Sequence, residues 1–105
     1  MDEPYDVPRL IAIRKKLEEN NCSIPLVLHG ASGLSPEAVK SCIAEGICKV
    51  NFATELRVAY TDAVRKNLAS DEKIYDPKKY GTAARAAVVD AVKQRILVCG
   101  CNGKA

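Results

Sequence analysis

The chain is expected to be an α/β protein with parallel strands, and three observations point there. Two short apolar runs, Ile24 to Leu28 and Ile47 to Phe52, each end in polar or glycine residues and lead directly into a helical pattern. The two strand–turn–helix units start about 23 residues apart, a weak internal repeat. Amphipathic stretches alternate with the strands instead of following them in a block, as they do in layered α/β folds. A crossover joining parallel strands is right-handed in nearly all proteins, which sets the two strand ends side by side. His29, the only histidine, should therefore be a neighbour of Asn51.

Each element has a local reason. Pro8 suits the first turn of a helix, and Leu10, Ile13 and Leu17 mark one face of it. Asn20-Asn21-Cys22-Ser23 closes that helix. Pro25 is tolerated only near the start of the strand that follows. Ser35-Pro36-Glu37 combines an N-cap serine, a proline at the first helical position and an early acid. Val39, Cys42 and Ile43 give this second helix its apolar stripe, and Gly46 ends it. After the second strand, Leu56, Tyr60, Ala63, Val64 and Leu68 line a third helix. Ser70 to Gly81 is rich in Asp, Pro, Lys and Gly and is expected to be a surface loop. The last helix carries Ala84, Val88, Ala91, Val92 and Ile96 in register and stops before Gly100.

Composition bounds what the chain can be. At 105 residues it is one domain at most, too short for a whole α/β barrel, which needs about 250. With 48% hydrophobic and 28% charged residues it is an ordinary water-soluble sequence. The net charge of +3 is interspersed, and one Phe with no Trp leaves little surface for stacking bases, so no nucleic-acid partner is expected. No apolar run approaches the roughly 18 residues of a membrane span, and Met1-Asp-Glu-Pro-Tyr5 lacks the apolar stretch of a secretory signal. A cytoplasmic location follows as the expectation, with the five cysteines as reduced thiols. Cys99-Gly-Cys101 has the wrong spacing for half of a zinc knuckle.

The strand ends hold the candidate chemistry. In parallel α/β proteins the site lies where strands end and helices begin. His29 follows the apolar run Leu26-Val-Leu and precedes Gly30-Ala-Ser-Gly33, a turn with almost no side chain to shield it, which suits a metal-ligating imidazole. One histidine cannot hold zinc alone. Gly30, Ser32 and Gly33, ahead of a helix capped by Ser35, form a turn able to meet a phosphate with backbone N–H groups. Asn51 and Thr54 occupy the corresponding second turn, with Arg57 one turn further on.

His29-Gly-Ala-Ser-Gly33 after Pro25-Leu-Val-Leu, then Gly46-Ile-Cys-Lys-Val-Asn51-Phe-Ala-Thr54-Glu-Leu, then Ile96 through Gly100-Cys-Asn-Gly-Lys-Ala105, resembles the C-terminal part of class II ketose-bisphosphate aldolases. The resemblance runs from about Val7 to Ala105. It implies a zinc-dependent enzyme of TIM-barrel fold that cleaves fructose- or tagatose-1,6-bisphosphate to dihydroxyacetone phosphate and glyceraldehyde 3-phosphate. His29 would be the third zinc-ligating histidine. Gly30, Ala31 and Ser32 would bind the triose phosphate through backbone and hydroxyl. Asn51, Phe52, Ala53 and Thr54 would complete that grip, and Arg57 matches a position that in some members reaches the far phosphate. Ala53, where the fructose branch often carries Asp, is closer to the tagatose branch. Zinc would act as a Lewis acid on the ketone, with a monovalent cation as a further candidate cofactor.

The same resemblance implies what this chain lacks. The other two zinc histidines and the proton-transferring carboxylates lie upstream in the family, so no catalytic residue is expected here. Residues 1–105 would be a C-terminal fragment of the barrel domain: about two βα units of the (β/α)8 barrel plus closing helices. The fragment alone is expected to be inactive and poorly stable. The full-length enzyme is expected to be a homo-oligomer. The alternative is a non-catalytic sugar-phosphate-binding or barrel-interaction fragment.

Overall fold

Asp6 opens the first helix in a computed structural model that describes residues 6–104. The elements are α1 (Val7–Glu19), β1 (Leu26–Leu28), a 3-10 turn (Ala31–Gly33), α2 (Pro36–Ala44), β2 (Ile47–Val50), α3 (Thr54–Ser70) and α4 (Pro77–Val98). The chain divides between Phe52 and Ala53 into two compact units. The expected α/β character holds, with most residues in helices and two parallel strands. The Met1–Tyr5 segment, expected to lack a secretory signal, and Ala105, the end of the C-terminal motif, lie outside the described residues.

The first unit is built around the strand pair. β1 and β2 run parallel, with Leu26 opposite Ile47, Val27 opposite Lys49 and Leu28 opposite Val50. Cys48 is the extra residue of a bulge in that register. Both strands are shorter than the apolar runs predict. Pro25 has no N–H to give to a ladder, and Ile24 is 60% exposed instead of buried. At the other end the hydrogen bonding outlasts the strand, since Asn51 N–H still donates to the Leu28 carbonyl at 2.9 Å.

The helices of this unit start and stop as their sequences dictate. The Asp6 carboxylate accepts from Arg9 N–H at 3.0 Å, and the Ser35 hydroxyl accepts from Ala38 N–H at 3.2 Å; each is an N-cap followed by proline. α1 ends through the left-handed Asn21, φ 54°, with Asn21 N–H bonded to Glu18 O and Cys22 N–H to Leu17 O. Its inward face is Leu10, Ile11, Arg14 and Leu17, while Ile13, expected on that face, is 46% exposed. Arg14 takes the place because its stem can lie against apolar surface while its guanidinium reaches Glu45 at 3.4 Å. Gly46, at φ 113°, adopts a conformation strained for any other residue, and a Cβ there would lie 3.2 Å from Arg14 Cδ, so the Arg14 stem would have to shift as well. The core comprises Ala31, Leu34, Ala38, Val39, Cys42 and Ile47. Burial pushes the Cys42 thiol up from its ordinary value. All five cysteines are free thiols.

The second unit is a helical hairpin. Glu55 at the start of α3 pairs with Arg95 near the end of α4, and Asn67 late in α3 shares a surface groove with Lys79 and Thr82 early in α4, so the helices are antiparallel. The α4 face turned toward α3 is made of small residues, with Ala84 fully buried and Ala83, Ala87 and Ala91 half-buried. Side chains this short let the backbones come close, and they leave the larger residues outside. Tyr60 (45%), Leu68 (39%), Val92 (38%) and Ile96 (40%), all expected on inward faces, are exposed.

The expected loop from Ser70 to Gly81 is only partly a loop, because α4 begins at Pro77. Asp76 is its N-cap, accepting from Lys78 N–H at 2.9 Å, with Pro77 at the first helical position. This is the same cap-plus-proline start as Ser35-Pro36, hidden among lysines and a glycine. Asp76→Ala should cost about 1 kcal/mol. Amide exchange at Lys78 and Lys79 should accelerate by the corresponding factor of about five in the variant, with α1 and α2 unaffected.

Candidate functional site

Parallel pairing carries His29 and Asn51 to one end of the sheet, where each follows the last residue of its strand. Asn51 Nδ2 and His29 Nδ1 lie 3.3 Å apart, the neighbour relation expected from the repeat. His29 is exposed and Asn51 half-buried. At that contact the amide N–H donates to Nδ1, which puts the proton of a neutral ring on Nε2. A half-turn of the Asn51 amide presents Oδ1 instead; Nδ1 then carries the proton, and Nε2 is left with a lone pair for a metal. The orientation of the Asn51 amide thus decides whether Nε2 carries the ring proton or the free lone pair. Among the described residues, no group of three His, Cys, Asp or Glu side chains is placed to hold a metal ion.

The chain turns sharply after His29. Gly30 takes the left-handed conformation, φ 68°, and opens the 3-10 turn of Ala31–Gly33, which Leu34 N–H closes onto Ala31 O at 3.0 Å. Ala31 is fully buried. It anchors the turn in the core, leaving Gly30 exposed and Ser32 half-buried.

The second turn belongs to the start of α3. Ala53 stands at its N-cap and offers no side-chain hydrogen bond, while its carbonyl receives Leu56 N–H at 3.1 Å and Arg57 N–H at 3.2 Å. Ala53, Thr54 and Arg57 are exposed, and Phe52 is half-buried. Arg57 borders a shallow groove of about 330 Å³ with Leu56, Tyr60, Thr61 and Val88. Behind Thr54, Glu55 Oε2 accepts from both Arg95 Nε (2.6 Å) and Arg95 Nη2 (2.5 Å). This partly buried pair fixes the beginning of α3 against the end of α4. Sequence reasoning did not single it out. Its signal was an acid in a first helical turn and a base in the last turn of the next helix.

Residues 2–104 match the profile of the family Fructose-bisphosphate aldolase class-II. The chain belongs to that family. Solved aldolase structures superpose on it as well. The YdjI aldolase from Escherichia coli K12 is 33% identical, with a TM-score of 0.77 over 95% of this chain and 35% of that one. The fructose-bisphosphate aldolase of Campylobacter jejuni shares the fold at 18% identity, with a TM-score of 0.80 over 96% of this chain and 37% of its own. The chain therefore spans little more than a third of the aldolases it resembles. None of its described helices is long and apolar enough to cross a membrane.

The conformation at Gly30 generates a test. A Cβ at Gly30 meets nothing within 4 Å, so an alanine there is penalised by backbone conformation alone. Gly30→Ala should destabilise the fold by about 1–2 kcal/mol, read from urea unfolding followed by circular dichroism, whereas Gly33→Ala should cost less, since Gly33 has no positive φ.

Proposed function

We propose that this chain is the C-terminal part of the (β/α)8 barrel of a zinc-dependent class II ketose-bisphosphate aldolase, with residues 1–105 forming about two βα units and the closing helices. The reaction is the reversible aldol cleavage of tagatose- or fructose-1,6-bisphosphate to dihydroxyacetone phosphate and glyceraldehyde 3-phosphate. The observation that carries this reading is the family match over residues 2–104. The placement of His29 supports it: an exposed imidazole at a parallel strand end, with Nδ1 beside an amide that can fix its tautomer.

His29 is the ligand this chain would contribute to the zinc. When bound, the metal supplies Lewis-acid polarisation of the ketone. The remaining residues bind and orient. Gly30, Ala31 and Ser32 bind the triose phosphate through backbone N–H groups and the Ser32 hydroxyl. Asn51 and Thr54 hold the triose, with Phe52 and Ala53 shaping the backbone between them, and Arg57 takes the distal phosphate. A dianion fixed at several points orients the substrate before any bond changes, which lowers the entropic part of the barrier. Proton transfer needs carboxylates from the rest of the enzyme, so the chain alone does not turn over. The complete enzyme is proposed to be a cytoplasmic homo-oligomer.

A chimera tests the roles directly: residues 2–104 replace the matching segment of the Campylobacter jejuni fructose-bisphosphate aldolase. His29→Ala should remove the zinc and nearly all activity. Ser32→Ala and Thr54→Val should leave the metal content whole and weaken dihydroxyacetone phosphate by about 1.5–3 kcal/mol, or roughly ten- to a hundredfold. An empty zinc site in Ser32→Ala, or unchanged triose-phosphate affinity, overturns the assignment.

Ala53 generates a second test. Where a site hydrogen-bonds a sugar hydroxyl, it discriminates strongly, and loss of that partner relaxes the choice. The chimera should prefer tagatose-1,6-bisphosphate, and Ala53→Asp should move the ratio of kcat/KM toward the fructose epimer. The ratio is the proper readout, because Asp at this N-cap also stabilises α3 and a ratio cancels that effect. An unchanged ratio removes Ala53 from specificity.

A further inference from the structure

The end of α4 carries two thiols in a defined turn. Cys99 is the C-cap, Gly100 follows in the left-handed conformation, φ 70°, and Cys101 comes next. Gly100 N–H bonds Leu97 O at 3.1 Å and Cys101 N–H bonds Ile96 O at 3.0 Å, the paired bonds of a Schellman motif. The motif holds the backbone on both sides of the glycine. Two residues apart, the Cα atoms of an extended chain are about 7 Å apart, just beyond the roughly 4.4–6.8 Å that a disulfide spans, and a left-handed residue between them curls the chain to bring its neighbours closer than that. Cys101 Sγ points back along the chain, 3.8 Å from the Cys99 carbonyl oxygen. Cys101 is exposed and Cys99 half-buried.

We propose that Cys99-Gly100-Cys101 is a reversible dithiol that exchanges with low-molecular-weight disulfides of the glutathione class, Cys101 attacking and Cys99 resolving. The Cys101 thiolate attacks one sulfur of the small disulfide. That S–S bond breaks, one glutathione leaves as thiolate and takes up a proton, and Cys101 is left in a mixed disulfide. Cys99 gives its proton to water and attacks Cys101 Sγ, which expels the second glutathione. The protein dithiol has lost two electrons and two protons, and the small disulfide has become two thiols.

The order of attack follows from the surroundings. Burial, and then the charge of a Cys101 thiolate, push the Cys99 thiol up, while the Arg95 guanidinium pulls it down. With Cys99 half-buried and Cys101 exposed, Cys101 is the thiol that a disulfide from solution reaches first. Once Cys101 is in a mixed disulfide its charge is gone, and one cause of the raised Cys99 value goes with it. The resolving thiol becomes easier to ionise at the moment it has a target.

The full chain is equilibrated in glutathione buffers of graded composition, quenched with acid, alkylated and digested with trypsin. Cleavage after Arg95 and Lys104 releases residues 96–104, which contain these two cysteines and no other. The expected product is this peptide lacking two hydrogens and refusing alkylation. Cys99→Ser should accumulate glutathione on Cys101, and Cys101→Ser should take glutathione on Cys99 severalfold more slowly, because Cys99 stays half-buried when the Cys101 charge is removed. In urea, where the helix end is lost, the internal disulfide should yield to mixed disulfides. A peptide that stays fully alkylated across the buffers, pairing of Cys101 with another cysteine, or the same internal yield in urea would each overturn the proposal.

Discussion

The parallel pairing of β1 with β2 is the constraint on which the rest of the first unit depends. It sets Leu28 opposite Val50, and the Asn51 N–H to Leu28 O bond prolongs the contact past the last paired residues. Two residues 22 positions apart in sequence, His29 and Asn51, are thereby made to touch through their side chains. Because side chains alternate faces along a strand, a slip of one residue would turn one of them away from the other. The bulge at Cys48 shows how the register is maintained: β2 accommodates one residue more than β1 and still brings Val50 level with Leu28. Val39 and Cys42 of α2, both buried, and Ile47 at the start of β2 belong to the same core as Ala31, so the turn after His29 rests on the packing that supports the strands.

The second unit is held by different means. Its buried centre is small, with Ala84 the one fully buried residue described in it. Close approach of two helices along short side chains supplies dispersion contacts more than bulk apolar burial. The Glu55–Arg95 pair, 15–28% exposed at its side chains, ties the ends of the helices together. Two nitrogens of one guanidinium meet one carboxylate oxygen there, a more directional arrangement than the exposed Arg65–Asp62 pair at 3.8 Å. The start of α3, with Thr54 and Arg57, takes its position from this pair.

Much of this organisation was legible in the sequence. The strand–turn–helix repeat, the Ser35-Pro36 helix start, the Gly46 stop and the meeting of His29 with Asn51 all rest on short-range chemistry that one chain displays. Helix faces were less legible. Ile13 against Arg14, and Leu68 against Asn67, are choices between adjacent residues on a helix. Hydrophobicity favours Ile13 and Leu68, whereas the rotation of the packed helix places Arg14 and Asn67 inward. The start of α4 was missed because Lys78, Lys79 and Gly81 suggested a loop, while a single capping carboxylate at Asp76 outweighs them. Burial of Ala31 was illegible for a related reason: in a Gly-Ala-Ser-Gly turn nothing local distinguishes the residue that faces the core from those that face water.

α3 differs from the other α-helices in how it begins. Asp6, Ser35 and Asp76 each give a side-chain oxygen to a backbone N–H of the helix they precede, but Ala53 gives none. A missing cap leaves a helix start less stable by about 1 kcal/mol and leaves its N–H groups to find acceptors elsewhere. An acceptor that arrives from solution and binds only the folded turn then contributes to folding itself, by an amount that grows with the logarithm of its concentration. At an uncapped start such as this one, binding of such an acceptor and ordering of the first turn would be one linked equilibrium.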